Sequence, residues 1–213
     1  MAERGLRERK KQETRQRISD VATGLFAVRG FDDVKVVEVA EAAEVSKMTV
    51  FNYFPRKEDL FFDRGEEAVA LLTETITERP PGESVLGALR RLSLRLLAEG
   101  HPFGAVGEGY ERFFQVVRDS PALQARGREL VEGLEDLLTS LIASATGADA
   151  EDPQPRLVAA LGIAAYRTAY LTSARRLLAG EPIERVRDAH ERLLRSAYDA
   201  LERAFPGYGA DQG

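Results

Sequence analysis

With 213 residues, a formal net charge of −5, no cysteine and no tryptophan, the chain has room for one large domain or two unequal ones. It has no means of forming disulfides, thiolate metal sites or a cysteine nucleophile, and His101 and His190 are too few for a multi-histidine zinc centre. No apolar run nears the ~20 residues of a membrane span, and the polar start does not read as a signal peptide, so we expect a cytoplasmic protein without metal or cofactor.

The charge is unevenly spread. Residues 1–19 hold seven Lys/Arg against three Glu, and residues 1–60 hold 12 basic and 11 acidic residues. The remainder holds 18 basic and 24 acidic. An acidic body with a basic tip suits a protein that offers one end to a polyanion, although a solvated N-terminal tail gives the same count.

Helical periodicity runs through the chain, and period-2 alternation is not sustained anywhere. Ile18, Val21, Ala22, Leu25 and Val28 form a first apolar stripe, stopped by Gly30. Two short segments follow, Val36–Ala43 and Ser46–Phe54; Ser46 is a good N-cap and Pro55 forbids continuation. A longer helix is expected from Pro55 to Arg79, before Pro80-Pro81-Gly82. Next come a Leu-rich stripe from Val85 to Leu97 and an aromatic-rich helix from Phe103 to Arg118. Asp119-Ser120-Pro121 then opens a long helix carrying Leu130, Leu134, Leu137 and Leu141. Leu157–Leu178 is apolar nearly all round, so it must be covered on more than one side. Pro182–Phe205 is the last, seamed by Val186, Leu193, Ala197 and Leu201, with a frayed end after it. The expectation is an all-α fold of about nine helices.

Val36–Ala43 and Ser46–Phe54 have the proportions of a helix-turn-helix, in which the first helix braces a second that enters the major groove. Val50 and Phe54, four apart, can face the brace, leaving Lys47, Met48, Thr49, Phe51, Asn52 and Tyr53 pointing elsewhere. Lys and Thr suit phosphates, Asn an adenine edge, and Phe or Met a thymine methyl. A small amphipathic helix whose aromatics belong to a core is the plainer reading of the same residues.

The stretch from Thr14 to Phe61 resembles the DNA-binding domain of the TetR/AcrR family of transcriptional regulators. The likeness is carried by Arg17, Ile18, Ala22, Leu25, Phe26, Gly30 and Phe31, then by Val36, Val39, Ala40, Ala43, Val45 and Ser46. It continues through the unbroken run from Lys47 to Leu60. The resemblance implies that Thr49, Tyr53 and Lys57 grip backbone phosphates and that Lys47, Met48, Phe51 and Asn52 approach the groove. It further implies that Val36, Ala40, Val45, Val50 and Phe54 set the angle between the two helices. Three positions depart from the family pattern. Lys35 stands where a capping Thr is common, losing the cap but keeping reach to a phosphate. Glu44 occupies a turn position that is frequently Gly, where a left-handed conformation costs about 1 kcal/mol. Arg56 replaces a capping Ser. The expected division is a basic arm and helix-turn-helix domain over 1–60 and a helical ligand-binding and dimerisation domain over 61–213. Arm residues Arg4 to Arg17 either touch the duplex or are disordered.

Beyond residue 60 the likeness is architectural, so the body is read from its residues. Small residues Ala159, Ala160, Gly162, Ala164 and Ala165 let another helix approach Leu157–Leu178, which with Pro182–Phe205 is the expected homodimer interface. The same helix could instead be the central strut of one subunit. His101, Phe103, Tyr110, Phe113, Phe114, Tyr166 and Tyr170 mix apolar surface with hydroxyls and are the candidate site for a largely apolar or aromatic effector, with ordinary core packing as the alternative. H-E-x-x-H, G-x-S-x-G and Walker sequences are absent, and no catalytic residue is assigned. The expected function is a DNA-binding regulator, a repressor released from a palindromic double-stranded operator by a small molecule. An activator with the same DNA contacts, or a helical adaptor binding protein partners, is the alternative.

Overall fold

The breakers read from the sequence fall between helices. In the computed structural model, which describes residues 2–210 with side chains from residue 9 on, Gly30 takes φ 85° just beyond the first helix. Its N–H donates to Phe26 O at 2.9 Å. The described residues form ten α-helices and no strand. They are α1 (Ala2–Arg29), α2 (Val36–Ala42), α3 (Lys47–Tyr53), α4 (Lys57–Phe61), α5 (Gly65–Thr77) and α6 (Val85–Ala98). A 3-10 turn (Pro102–Gly104) leads to α7 (Tyr110–Asp119), α8 (Pro121–Thr146), α9 (Gln154–Leu178) and α10 (Ile183–Ala204).

Three departures from the expected pattern have physical causes. The helix predicted over Pro55–Arg79 is two, α4 and α5, parted at residues 62–64 ahead of Gly65. The helix predicted from Phe103 is delayed to Tyr110, because the chain turns left-handed at Ala105 (φ 62°) and Gly109 (φ 81°); before them Gly104 lies flush on α6, where a Cβ would sit 2.6 Å from Leu96 O. The end expected to fray is tied down, with Val85 N–H donating to Tyr208 O at 3.0 Å and Arg79 to Gly209 O at 2.6 Å.

The chain divides into two compact units, Met1–Gly65 with Gln115–Gly127, and Glu66–Phe114 with Arg128–Gly213. The first is built on Ile18, Ala22 and Phe26 of α1, Val39 and Ala40 of α2, Val50 of α3 and Leu60 of α4. Leu123 of α8, remote in sequence, is fully buried in the same cluster.

The second unit is a helical bundle in which α10 lies against α9 and α6. Leu86, Leu89, Leu92 and Leu96 of α6 meet Val158, Ala159, Ala165 and Ala169 of α9 and Leu194 and Tyr198 of α10. Much of the small-residue stripe therefore works inside the subunit: a Cβ on Gly162 would come 2.8 Å from Leu89 Cδ1. Leu157 and Leu171 remain exposed on α9. Polar groups also enter this core, each needing a partner. Ser93 Oγ donates to Leu89 O at 2.9 Å, and Tyr198 Oη to Gly162 O at 3.2 Å. His190 Nδ1 pairs with Ser173 Oγ at 2.8 Å, while its Nε2 is buried without a partner. Burial pulls the His190 pKa down to about 4 and pushes Tyr198 up to about 12.

Candidate nucleic-acid interface

Two short helices cannot hold their ends by propensity alone, so the caps decide the geometry. α2 closes in a Schellman motif: Val45 N–H donates to Ala40 O at 2.9 Å and Glu44 N–H to Glu41 O at 3.1 Å. Glu44 sits at the left-handed position with φ 53°, the strained turn anticipated from its sequence. Ser46 then opens α3, its Oγ accepting from Thr49 N–H at 3.0 Å and lying 2.8 Å from Thr49 Oγ1. Val50 and Phe54, both buried, anchor α3 in the core of the unit.

That anchoring fixes what α3 shows to solvent. Lys47, Met48, Phe51 and Asn52 are its exposed residues, while Thr49 and Tyr53 are half-buried on its flanks. Met48 keeps 69% of its surface and Phe51 36%, and Lys47 Nζ rests 5.7 Å from the centre of the Phe51 ring. The four residues expected at the groove thus share one face, at positions i, i+1, i+4 and i+5.

The flanking cations divide. Lys35 is exposed, and its lost cap is replaced by Glu38, whose carboxylate accepts the Lys35 N–H at 2.7 Å and is itself held by Arg29 at 2.7 Å. The Arg29 hydrogen bond first, and then the Lys35 N–H, hold the Glu38 carboxyl below its usual pKa. Arg56 is treated alike: Asp59 accepts its N–H at 3.1 Å and pairs with Arg126 at 2.8 Å. Lys57 is different. Its ammonium donates to Phe31 O at 2.5 Å and lies 4.1 Å from the centre of the Phe31 ring, and burial lowers its pKa from the ordinary lysine value. Lys57 therefore braces the connection between α1 and α2, its ammonium also reaching Asp32 O at 3.5 Å.

The basic arm is the first part of α1 rather than a separate segment. Arg9, Lys10 and Lys11 are exposed on it; the side chains of Arg4 and Arg7 lie outside those described. Arg15 is turned to a structural task, donating to Asp63 O at 2.7 Å and lying 4.9 Å from the Phe54 ring centre. Ser19 donates to the Asp63 carboxylate. Sequence reasoning missed the contribution of residues 115–127, where Ser120 Oγ donates to Asp32 at 2.9 Å and Arg126 to Asp59. Glu38 and Asp59 were legible as the third residues of their helices, the capping-box position. The sequence marks Ser120 only as part of the opening of α8, and nothing in it points to Leu123 or Arg126.

The seven aromatic and histidine candidates all fall in the second unit and form one connected group. Phe114 stacks edge-on to Tyr170 (5.2 Å) and Phe113 (5.6 Å), Tyr110 lies 6.0 Å from Phe114, and Tyr166 lies 6.0 Å from Tyr170. His101 and Phe103 join through their rings (5.4 Å) and through backbone carbonyls. Tyr110 Oη donates to His101 O at 2.8 Å and Tyr166 Oη to Phe103 O at 2.5 Å. Burial raises the Tyr166 and Tyr170 pKa values. The Tyr110 and Tyr166 hydroxyls hold a strained turn: Ala105, fully buried, has φ 62°, and Arg187 donates to Leu97 O at 2.8 Å and to Val106 O at 3.3 Å on either side. His101 Nε2 meets Glu67 of α5 at 3.2 Å.

Residues 18–63 match the family model of bacterial regulatory proteins of the tetR family, and residues 83–206 match that of the MftR C-terminal domain. The chain is 30% identical over 161 residues to the HTH-type transcriptional regulator TcmR of Streptomyces glaucescens, covering 74% of this chain and 71% of that protein. The chain belongs to the TetR family of transcriptional regulators. TetR-family members bind DNA and are not enzymes. Among solved structures, the fold resembles NalD, the secondary repressor of the MexAB-OprM multidrug efflux pump in Pseudomonas aeruginosa, with a TM-score of 0.55 and 19% identity over 90% of this chain and 96% of that one. It also resembles the SmeT–triclosan complex, with a TM-score of 0.58 and 15% identity over 90% and 91% of the two chains. No helix among the described residues of this TetR-family regulator is long and apolar enough to cross a membrane.

Proposed function

We propose that this TetR-family regulator is a repressor that binds a two-fold symmetric operator as a homodimer and leaves it when a small, largely apolar or aromatic effector binds the second unit. The observation that carries the reading is the exposed face of α3, with Lys47, Met48, Phe51 and Asn52 outward above a buried Val50 and Phe54. This face sets hydrogen-bonding and apolar groups where base edges present theirs, and Lys35 and Thr49 flank it for phosphates. Repression needs only occupancy of the operator, whereas activation needs a further surface for the transcription machinery.

Pairing is supported by α9 and α10, the two C-terminal helices. Leu157 and Leu171 stand two heptads apart on α9 and are about half exposed, apolar side chains that a symmetric partner would cover. Two linked readers gain affinity from each other only on a symmetric site. The effector reading rests on the connected aromatic group around the strained His101–Val106 turn, since strain of this kind collects at switching segments. Coupling has a covalent route: α7 and α8 carry residues 115–127 into the DNA-reading unit, where Ser120 holds Asp32 and Arg126 holds the cap of α4. A coupling of about 1–3 kcal/mol is ordinary for such linkage, and it acts equally in both directions.

Selection of bound sequences from random duplexes tests the reading. The expected result is a two-fold symmetric motif whose affinity falls steeply with salt, because phosphate contacts release counterions. No preferred duplex, or a flat salt dependence, overturns it.

A further inference from the structure

A chain end stays ordered only where its contacts outweigh the freedom it loses. Beyond α10, residues 205–210 turn back over the ends of α5, α6 and α8. Val85, the first residue of α6, donates its N–H to Tyr208 O at 3.0 Å. That N–H is one of the four at a helix start that find no partner within the helix. Arg79, just past α5, spans two carbonyls, Ile76 O at 2.7 Å and Gly209 O at 2.6 Å. Gly209 (φ 71°) lies flush between two walls: a Cβ there would sit 2.8 Å from Val85 Cγ2 and 3.3 Å from Thr146 Cγ2. Both wall residues are β-branched, Val85 is fully buried and Thr146 Oγ1 is bonded to Ile142 O, so neither swings aside. Phe205 and Tyr208, edge-on at 6.5 Å, pack on the core of the bundle.

The helix held in this way is the one that leads out of the DNA-reading unit, since α5 follows α4 after residues 62–64. Its buried residues, Leu72, Thr75 and Ile76, all lie in its second half, the half that Arg79 closes. Arg79 and residues 207–210 lie outside the stretches 18–63 and 83–206 that match the family, so their role is read from this chain's own contacts. We infer that residues 205–210 form a clasp that pins the far end of α5 to α6 and α8, and that operator affinity depends on the clasp being shut. With the clasp open, the arrangement that binds the operator is one among several, and apparent affinity falls with the fraction that stays competent. The inference rests on the operator binding proposed above and not on the effector.

Gly209→Ala and Arg79→Lys in the full chain test it. The alanine meets the Val85 wall on a left-handed backbone, and the lysine keeps the charge but lacks the planar fork. The Val85 amide reports the clasp directly. In Gly209→Ala its hydrogen exchange is expected to quicken about five- to thirtyfold, the weight of one left-handed side chain. Both variants are expected to bind the selected operator about fivefold more weakly, the low end of ordinary coupling. No phosphate or base contact is removed, so the selected motif and the slope of affinity against salt are expected to match the wild type. The Val50 amide, bonded to Ser46 O in the reading unit, is expected to keep its wild-type exchange. Because both substitutions act on one clasp, the double variant is expected to lose little more than the stronger single one. Unchanged Val85 exchange in both variants overturns the clasp, and so does an equal rise at Val50, which would mean general loosening. Faster Val85 exchange with operator affinity within about twofold of wild type overturns the dependence. If the wild type prefers no duplex, the functional reading falls and the dependence with it, while Val85 exchange still decides the clasp.

Discussion

The two units solve the problem of holding helices together in different ways. Besides the long α1, the DNA-reading unit has helices of five and seven residues, too short to be stable alone, and fixes each of these by a local device. Ser46 caps α3, Glu38 and Asp59 cap α2 and α4, and a Schellman turn links α2 to α3. The bundle unit has helices of up to 25 residues and relies on packing of Leu and Ala side chains that many other choices would satisfy. Local devices leave a readable order in the sequence; interchangeable packing does not. This is why the motif that can be read residue by residue stops near Phe61, while the bundle is matched as a whole, by a family model over residues 83–206.

The largest effect should come from the place where this contrast fails. Leu123 belongs to α8 yet is fully buried in the core of the reading unit. Leu123→Ala is expected to cost about 2–5 kcal/mol in denaturant unfolding, like other buried leucine truncations, and to weaken operator binding with it. A loss below 1 kcal/mol would mean that residues 115–127 are not part of that core.

The bundle should be the acid-sensitive half. His190 is held neutral by burial, with a pKa of about 4 against the ordinary 6.5, so the unfolded chain takes up the proton first. Stability on this account is level above about pH 6.5, declines as pH falls toward 4 and levels off below, a total of about 3 kcal/mol. Histidine ring resonances followed by NMR across this range check the origin: the His190 ring is expected to stay neutral until about pH 4, and protonation near pH 6.5 in the folded protein would contradict it.

Smaller effects sharpen the other side of the comparison. Glu44→Gly removes the left-handed strain at φ 53° and is expected to stabilise the protein by about 1 kcal/mol, read as a higher denaturant midpoint. Ser46→Ala removes the α3 cap and is expected to cost about 1 kcal/mol. Opposite signs at two positions two residues apart would show that turn and cap act separately.

How much was legible follows from the same physics. Ser46, Pro55 and the spacing of Val50 and Phe54 placed α3 and its outward face, and Glu44 announced its own strain. The break between α4 and α5 was missed although Gly65 marks it, because the apolar spacing continues across it. The aromatic and histidine candidates of the bundle do come together, but the Tyr110 and Tyr166 hydroxyls are bound to backbone carbonyls, a use that composition does not reveal. Arg126 and Ser120 act across more than sixty residues of chain on Asp59 and Asp32, and no local pattern encodes such partners.

Asn52 offers the most direct test of the central claim, that α3 reads bases with its exposed face. Random-duplex selection is carried out side by side on the wild type and Asn52→Ala. The account predicts a two-fold symmetric motif for the wild type and loss of preference at matching positions in both half-sites for the variant, with the rest of the motif kept. An unchanged motif in the variant would contradict it.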